Sequence, residues 1–237
     1  MNPATAAPEI PFWLEINGRR RTCWTCSPVA LEALVVGYLR TCDYIRDPAE
    51  VQSIELVEEP DGCAGARVTV PETGATRVAM EQKLMRAHGC GVLHYVTCDA
   101  AALRYHDTAA LPGADALRDA FRSLFAQTDA AYPDGGMHAA GVMVGGTLRH
   151  VAFDVGRHNA VDRAVGVALE AGTALESAGL ILSSRVSGAI ALKAARARVG
   201  YLASRSIPTS LAQRLVDAVG LPLIARAGRG LAREEGA

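Results

Sequence analysis

The chain has 237 residues, half of them hydrophobic, with six cysteines and a formal net charge of −1. That is enough apolar material for one large or two small buried cores, and so balanced a charge offers no electrostatic basis for a general nucleic-acid binder. No apolar run is long enough to cross a bilayer, the cysteines are too sparse for a secreted disulfide framework, and residues 1–10 lack the basic and apolar regions of a signal peptide, so the expected compartment is the cytoplasm.

In chain order, residues 12–19 read as a strand running into the hairpin signal Asn17-Gly18. Residues 28–39 carry Leu31, Leu34, Val35 and Tyr38 on one helical face. Residues 51–58 and 67–70 alternate as strands on either side of an Asp61-Gly62 turn. Together, residues 10–108 form a small α+β domain. Two cysteine sites lie in it. Cys23-Trp-Thr-Cys26 supplies two of the four ligands a zinc site needs, has no matching second pair and lacks a βαβ setting, so it reads as ordinary packed thiols. Cys90, in His88-Gly-Cys-Gly91, is flanked by glycines that leave a loop sulfur accessible. A nucleophilic or sulfur-carrying role and a structural one are both open for it.

Residues 109–237 form the second domain. An amphipathic helix at 114–126 carries Leu117, Phe121, Leu124 and Phe125, and strands at 139–144 and 147–155 join at Gly145-Gly146. A helix at 158–171 follows, then a buried strand at 179–182, a helix at 187–198 ending before Gly200, and a strand at 201–203. Pro208 opens the next helix with Ser206 as its N-cap, and 221–225 is the last strand. This alternation predicts a three-layer α/β/α sandwich around a largely parallel sheet.

In such sheets, ligands gather beyond the carboxyl ends of the strands. Four strand ends carry polar segments there: Asp154 with Arg157, His158, Asn159 and Asp162; Ser183 with Ser184 and Arg185; Ser204 with Arg205 and Ser206; and Arg226 to Arg229. Each holds an arginine, suited to bidentate phosphate contacts, and three lead into a helix N-terminus, which favours an anion. An anionic ligand such as a nucleotide pyrophosphate fits this pattern. The chain has neither a phosphate-loop motif nor a Gly-x-Gly-x-x-Gly fingerprint, which argues against the common NTPase and dinucleotide-binding classes.

Gly135-Gly-Met-His-Ala-Ala-Gly141, Asp154-Val-Gly-Arg-His-Asn-Ala-Val-Asp162, Ser183-Ser-Arg185 and Ser204-Arg-Ser-Ile-Pro-Thr-Ser-Leu-Ala212 resemble the formate dehydrogenase accessory sulfurtransferase family, FdhD. With Ile16-Asn-Gly18 and Gly89-Cys-Gly91, the resemblance covers nearly the whole chain. It implies an α/β class in which a cytidine-deaminase-like α/β/α C-terminal domain follows the smaller α+β domain. It also implies a protein that takes sulfur from a cysteine desulfurase as a persulfide. The sulfur then passes to the molybdenum bis(molybdopterin guanine dinucleotide) cofactor, bound as cargo, before insertion into formate dehydrogenase.

Carried over by residue, the resemblance makes Cys90 the sulfur-bearing group, while Leu93 stands where the family has its second cysteine and Cys98 lies eight positions after Cys90. The implied cofactor contacts are His138, Asp154, Arg157, His158, Asn159, Asp162, Ser184, Arg185, Ser204, Arg205, Ser206, Thr209 and the run Ile224, Ala225, Arg226, Ala227, Gly228 and Arg229. GDP is the expected surrogate ligand, and a homodimer would suit a cofactor with two guanine ends. His138 resembles a deaminase zinc ligand, but Ala140 replaces the catalytic Glu and no Pro-Cys-x-x-Cys follows, so no metal is expected. Three functions follow: a sulfurtransferase acting through Cys90, a non-catalytic chaperone for the same cofactor, or a nucleotide-binding regulator.

Overall fold

The structure is a computed structural model that describes residues 6–76, 78 and 109–227. Cys90, Leu93, Cys98, Gly228 and Arg229, and the expected domain boundary at residue 108, lie outside the described residues. The N-terminal half opens with β1 (Ile10–Ile16) and β2 (Arg19–Cys26). They form an antiparallel hairpin around Asn17-Gly18, whose φ values of 51° and 71° suit the turn that strand twist prefers. After helix α1 (Leu31–Thr41), strands β3 (Ser53–Glu58) and β4 (Ala64–Thr69) complete a sheet ordered β2-β1-β4-β3, with β4 parallel to β1. Helix α1 starts later than its apolar pattern predicts. Val29 N–H turns back onto the Ser27 carbonyl, and Ala30 takes a left-handed N-cap conformation with φ 42°.

The second half contains α2 (Ala114–Ala131), β5 (His138–Val144), β6 (Thr147–Asp154), α3 (Arg157–Glu170), β7 (Gly179–Leu182), α4 (Gly188–Ala197), β8 (Tyr201–Ser204), α5 (Ser210–Val219) and β9 (Leu223–Ala225). Its sheet runs β6-β5-β7-β8-β9. It is mixed: β5 is antiparallel to both β6 and β7, so β5 alone is reversed while β6 runs in the same direction as β7, β8 and β9. The Gly145-Gly146 turn is the reason, because a two-residue hairpin can join only antiparallel strands. The parallel part needs its helical crossovers. Helix boundaries also differ from expectation. The N-cap of α5 is Thr209, not Ser206, because the chain bends at Arg205 and Ser206 and Pro208 then bridges Val186 before the helix begins. Arg198, at φ 58°, ends α4 in place of Gly200.

Side chains on the two faces of this sheet enter separate cores. Ala140, Val142, Leu180, Leu182 and Leu202 pack under α3, α4 and α5, while Ala139, Met143, Ile181, Tyr201 and Ala203 pack against Leu117, Phe121 and Leu124 of α2. Helix α1 joins the halves. Leu34, Val35 and Leu39 pack with Phe12, Leu14 and Ile16 of the first sheet, and the other side of α1 lies against α3 and α4. Two glycines allow that approach: a Cβ at Gly37 would sit 1.7 Å from the Asp162 carbonyl oxygen, and one at Gly166 would sit 1.8 Å from that of Ala33. Among the described residues, no helix is long and apolar enough to cross a membrane.

Candidate functional site

Strand pairing brings the polar segments to one sheet edge. His138, at the start of β5, pairs with Asp154 at the end of β6, Leu182 of β7 pairs with Ser204 of β8, and Ser204 in turn pairs with Ala225 of β9. The connecting loops then brace one another. The Ser204 hydroxyl donates to the Ser184 carbonyl at 2.7 Å and accepts from Ser206 N–H at 3.0 Å. Arg226 N–H reaches the Ser206 carbonyl at 3.1 Å, and Ala139 N–H reaches the Ser183 hydroxyl at 2.9 Å. Thr209 accepts from Ala212 N–H at 3.2 Å as the α5 cap. Ser204 and Thr209 therefore hold the loops, while the side chains of Ile224 and Ala227 pack into the core beneath α2.

The two acids expected to touch ligand are buried instead. Asp154 accepts from the Gly156 amide at 2.7 Å, the Asn159 side chain at 3.0 Å and the Ser27 amide at 3.1 Å, and pairs with the Arg163 guanidinium at 2.8 Å. Arg163 also donates to the carbonyls of Phe153 at 2.5 Å and Ser27 at 2.9 Å. Asp162 accepts from Lys193 at 2.8 Å and from the Thr41 hydroxyl at 2.6 Å. Burial alone would lower the Lys193 pKa, but the Asp162 carboxylate, with Cys42 at 3.6 Å, outweighs it and raises the value. Both acids thus face the N-terminal half, where solvation is lost and a buried charge requires a partner.

The groups left open at the edge are of another kind. The N-cap of α3, Gly156, offers no side chain, and the first helical bond is Ala160 N–H to the Gly156 carbonyl, so the amides of Arg157, His158 and Asn159 have no helical acceptor. The N-termini of α4 and α5 are capped by Ser187 and Thr209. Arg157, Arg185 and Arg226 form no side-chain hydrogen bond or ion pair among the described residues, and Arg185 and Arg226 are exposed. Arg205 lies over the Phe125 ring, 5.5 Å from its centroid, with its Nε buried and unbonded. Burial and the Arg157 charge lower the His138 pKa, and burial with Lys193 and Arg157 lowers that of His158, whose Nε2 is buried without a partner. Both shifts favour the neutral ring. An uncapped helix N-terminus beside unpaired guanidinium groups is chemically suited to an anion, and neutral imidazoles can bond it without further charge.

The cysteines divide sharply. Cys23 and Cys26 are three positions apart on β2 and so face opposite sides, Cys23 exposed and Cys26 buried. Burial and nearby Asp154 push the Cys26 thiol up to about 12, which keeps it a protonated packing group. Among the described residues, no cluster of three His, Cys, Asp or Glu could hold a metal.

Ser27, Thr41, Arg163 and Lys193 complete the buried networks, and none stands out in the sequence as a site residue. Arg163 carries the one available signal, a charge amid Ala160, Val161, Ala164 and Val165 on a face that must be buried.

Comparison with known proteins agrees along nearly the whole chain. The model of the FdhD/NarQ family matches residues 7–232. A relative named sulfur carrier protein FdhD from Listeria monocytogenes is 27% identical over 225 residues, covering 93% of this chain and 85% of its own. One of the same name from Bordetella petrii is 32% identical over 228 residues, covering 92% and 80%. The crystal structure of a candidate formate dehydrogenase accessory protein from Desulfotalea psychrophila superimposes with a TM-score of 0.68 at 23% identity, over 92% of this chain and 82% of that one.

Proposed function

The chain belongs to the FdhD/NarQ family, and on that premise we propose that it carries sulfur for the maturation of formate dehydrogenase. In this reading a cysteine desulfurase supplies the sulfur, and the substrate that receives it is the molybdenum bis(molybdopterin guanine dinucleotide) cofactor. The guanine dinucleotide ends lie along the strand-end edge. The observation that supports the edge is the uncapped N-terminus of α3 with Arg157, unpaired among the described residues, beside it, on the same side as the loops of Arg185, Arg205 and Arg226. Pyrophosphate needs amide donors and guanidinium groups held in place before it arrives. A cytidine-deaminase-like ancestry for the second half, a homodimer and a cytoplasmic setting belong to the same proposal.

The sulfur step rests on Cys90. Its thiolate attacks the terminal sulfur of the donor persulfide, forming a new S–S bond as the donor thiolate leaves. To release that sulfur as hydrosulfide, a second thiol attacks the inner sulfur and a disulfide forms. Leu93 cannot supply that thiol, so an external one, or one on the acceptor side, must. This substitution favours a second reading, a chaperone that binds the same cofactor without transferring sulfur. Mass analysis after incubation with a desulfurase and cysteine decides between them. The first reading predicts one added sulfur that is lost in Cys90→Ala and a client enzyme inactive with that variant. Unmodified protein and full client activity with Cys90→Ala would leave the chaperone.

A further inference from the structure

Ser27 is fully buried just past the end of β2, and its amide, hydroxyl and carbonyl each bond a residue between the end of β6 and the middle of α3. Its amide donates to Asp154 at 3.1 Å, its hydroxyl accepts from the Val155 amide at 3.2 Å, and its carbonyl accepts from Arg163 at 2.9 Å. Two positions earlier, the Thr25 carbonyl accepts from the Asn159 side chain at 2.8 Å. Residues on both sides of Arg157 and His158 are thus held by one short stretch of the other half of the molecule. Arg157 and His158 themselves are left with open amides at the edge.

We infer that Ser27 is a positioning residue for this edge: it sets the backbone from Val155 to Asn159 so that the open amides and Arg157 point toward an anion. The site on the second half is therefore completed by a residue of the first. A packing role alone would need only the size of the side chain, whereas here a hydroxyl oxygen satisfies the Val155 amide, two positions before the first open amide at Arg157. The inference rests on the proposal that this edge binds the guanine nucleotide ends.

GDP titration and backbone amide NMR on the full chain, wild type and Ser27→Ala, test it. Alanine keeps the amide and carbonyl of Ser27 and removes the acceptor of Val155 N–H together with a long contact from the hydroxyl to the Met137 sulfur at 4.0 Å. The expected result is a roughly three- to tenfold weaker GDP affinity, with shifted resonances and faster exchange at Val155 and Gly156, and with the amides of β7 unchanged. In wild type, GDP should also slow exchange at Val155, since coupling between two sites is reciprocal; this arm needs no variant. Equal GDP affinity in the two proteins, faster exchange throughout Ser27→Ala, or no effect of GDP on Val155 would overturn the inference while leaving the proposed ligand intact. Wild type that does not bind GDP would instead remove the ligand reading, and the inference with it.

Discussion

Residues 154–163 serve two surfaces of opposite character. Toward the N-terminal half, Asp154, Asp162 and Arg163 are buried and partnered, by Ser27 and Thr41 across the seam and by Lys193 and the Asp154–Arg163 pair within the second half. Toward the strand-end edge, Arg157 and His158, in the same turn of chain, have no side-chain partner among the described residues. Residue type does not separate the two roles, since charged groups fill both. What separates them is whether a distant part of the chain meets the charge before a ligand can.

The contrast breaks most readily on the buried side. Asp154→Ala leaves Arg163 as an uncompensated buried charge, and urea unfolding should show a loss of about 3–5 kcal/mol. Lys193→Met should cost about 3 kcal/mol by the same logic applied to Asp162. Its pH dependence is diagnostic. The folded pKa of Lys193 is raised, so its contribution is complete below the ordinary lysine value of about 10.4 and is lost as pH climbs through the higher folded value. The stability gap between wild type and Lys193→Met should shrink in that alkaline range and stay constant at lower pH.

On the open side the effects should fall on binding instead. Arg157→Ala and Arg185→Ala should each weaken GDP by roughly 1.5–3 kcal/mol, the value of a charged hydrogen bond, while stability moves by no more than about 0.5 kcal/mol. Unchanged titrations for both would remove this edge as the nucleotide site. A smaller effect concerns His158. Its folded pKa is lowered, so the unfolded chain takes up the proton first, near pH ~6.5, and stability should decline as pH falls below that point. His158→Gln should flatten that slope in thermal unfolding. The smallest effect belongs to Cys23→Ala, an exposed thiol, where stability should stay within about 0.5 kcal/mol.

Much of the architecture is legible in the chain itself, because it follows from local rules. Asn17-Gly18 and Gly145-Gly146 announce hairpins since positive φ is cheap there, and the apolar periods of α2, α3 and α5 mark faces that must be covered. The gathering of arginine-bearing loops on one edge follows from strand alternation, because consecutive parallel strands end on the same side. Two features were not legible: the start of α1 depends on Ser27 being held by residues far along the chain, and the hairpin that enters the second sheet reverses one strand, β5, within an otherwise parallel set.

The sequence by itself therefore determined the order of elements, the family resemblance and the set of charged residues near the strand ends. Only the tertiary structure decided which of those charges are available. Asp154 and Arg163 lie nine positions apart and Asp162 and Lys193 lie 31 apart, and Ser27 meets Asp154 across 127 positions. No periodicity encodes such pairings. They are set by the crossing of α1 over α3, where glycines bring the two backbones together and the desolvated acids must find partners or be destabilised. The amides left over at the start of α3 are open because that same packing used the Asp154 carboxylate elsewhere.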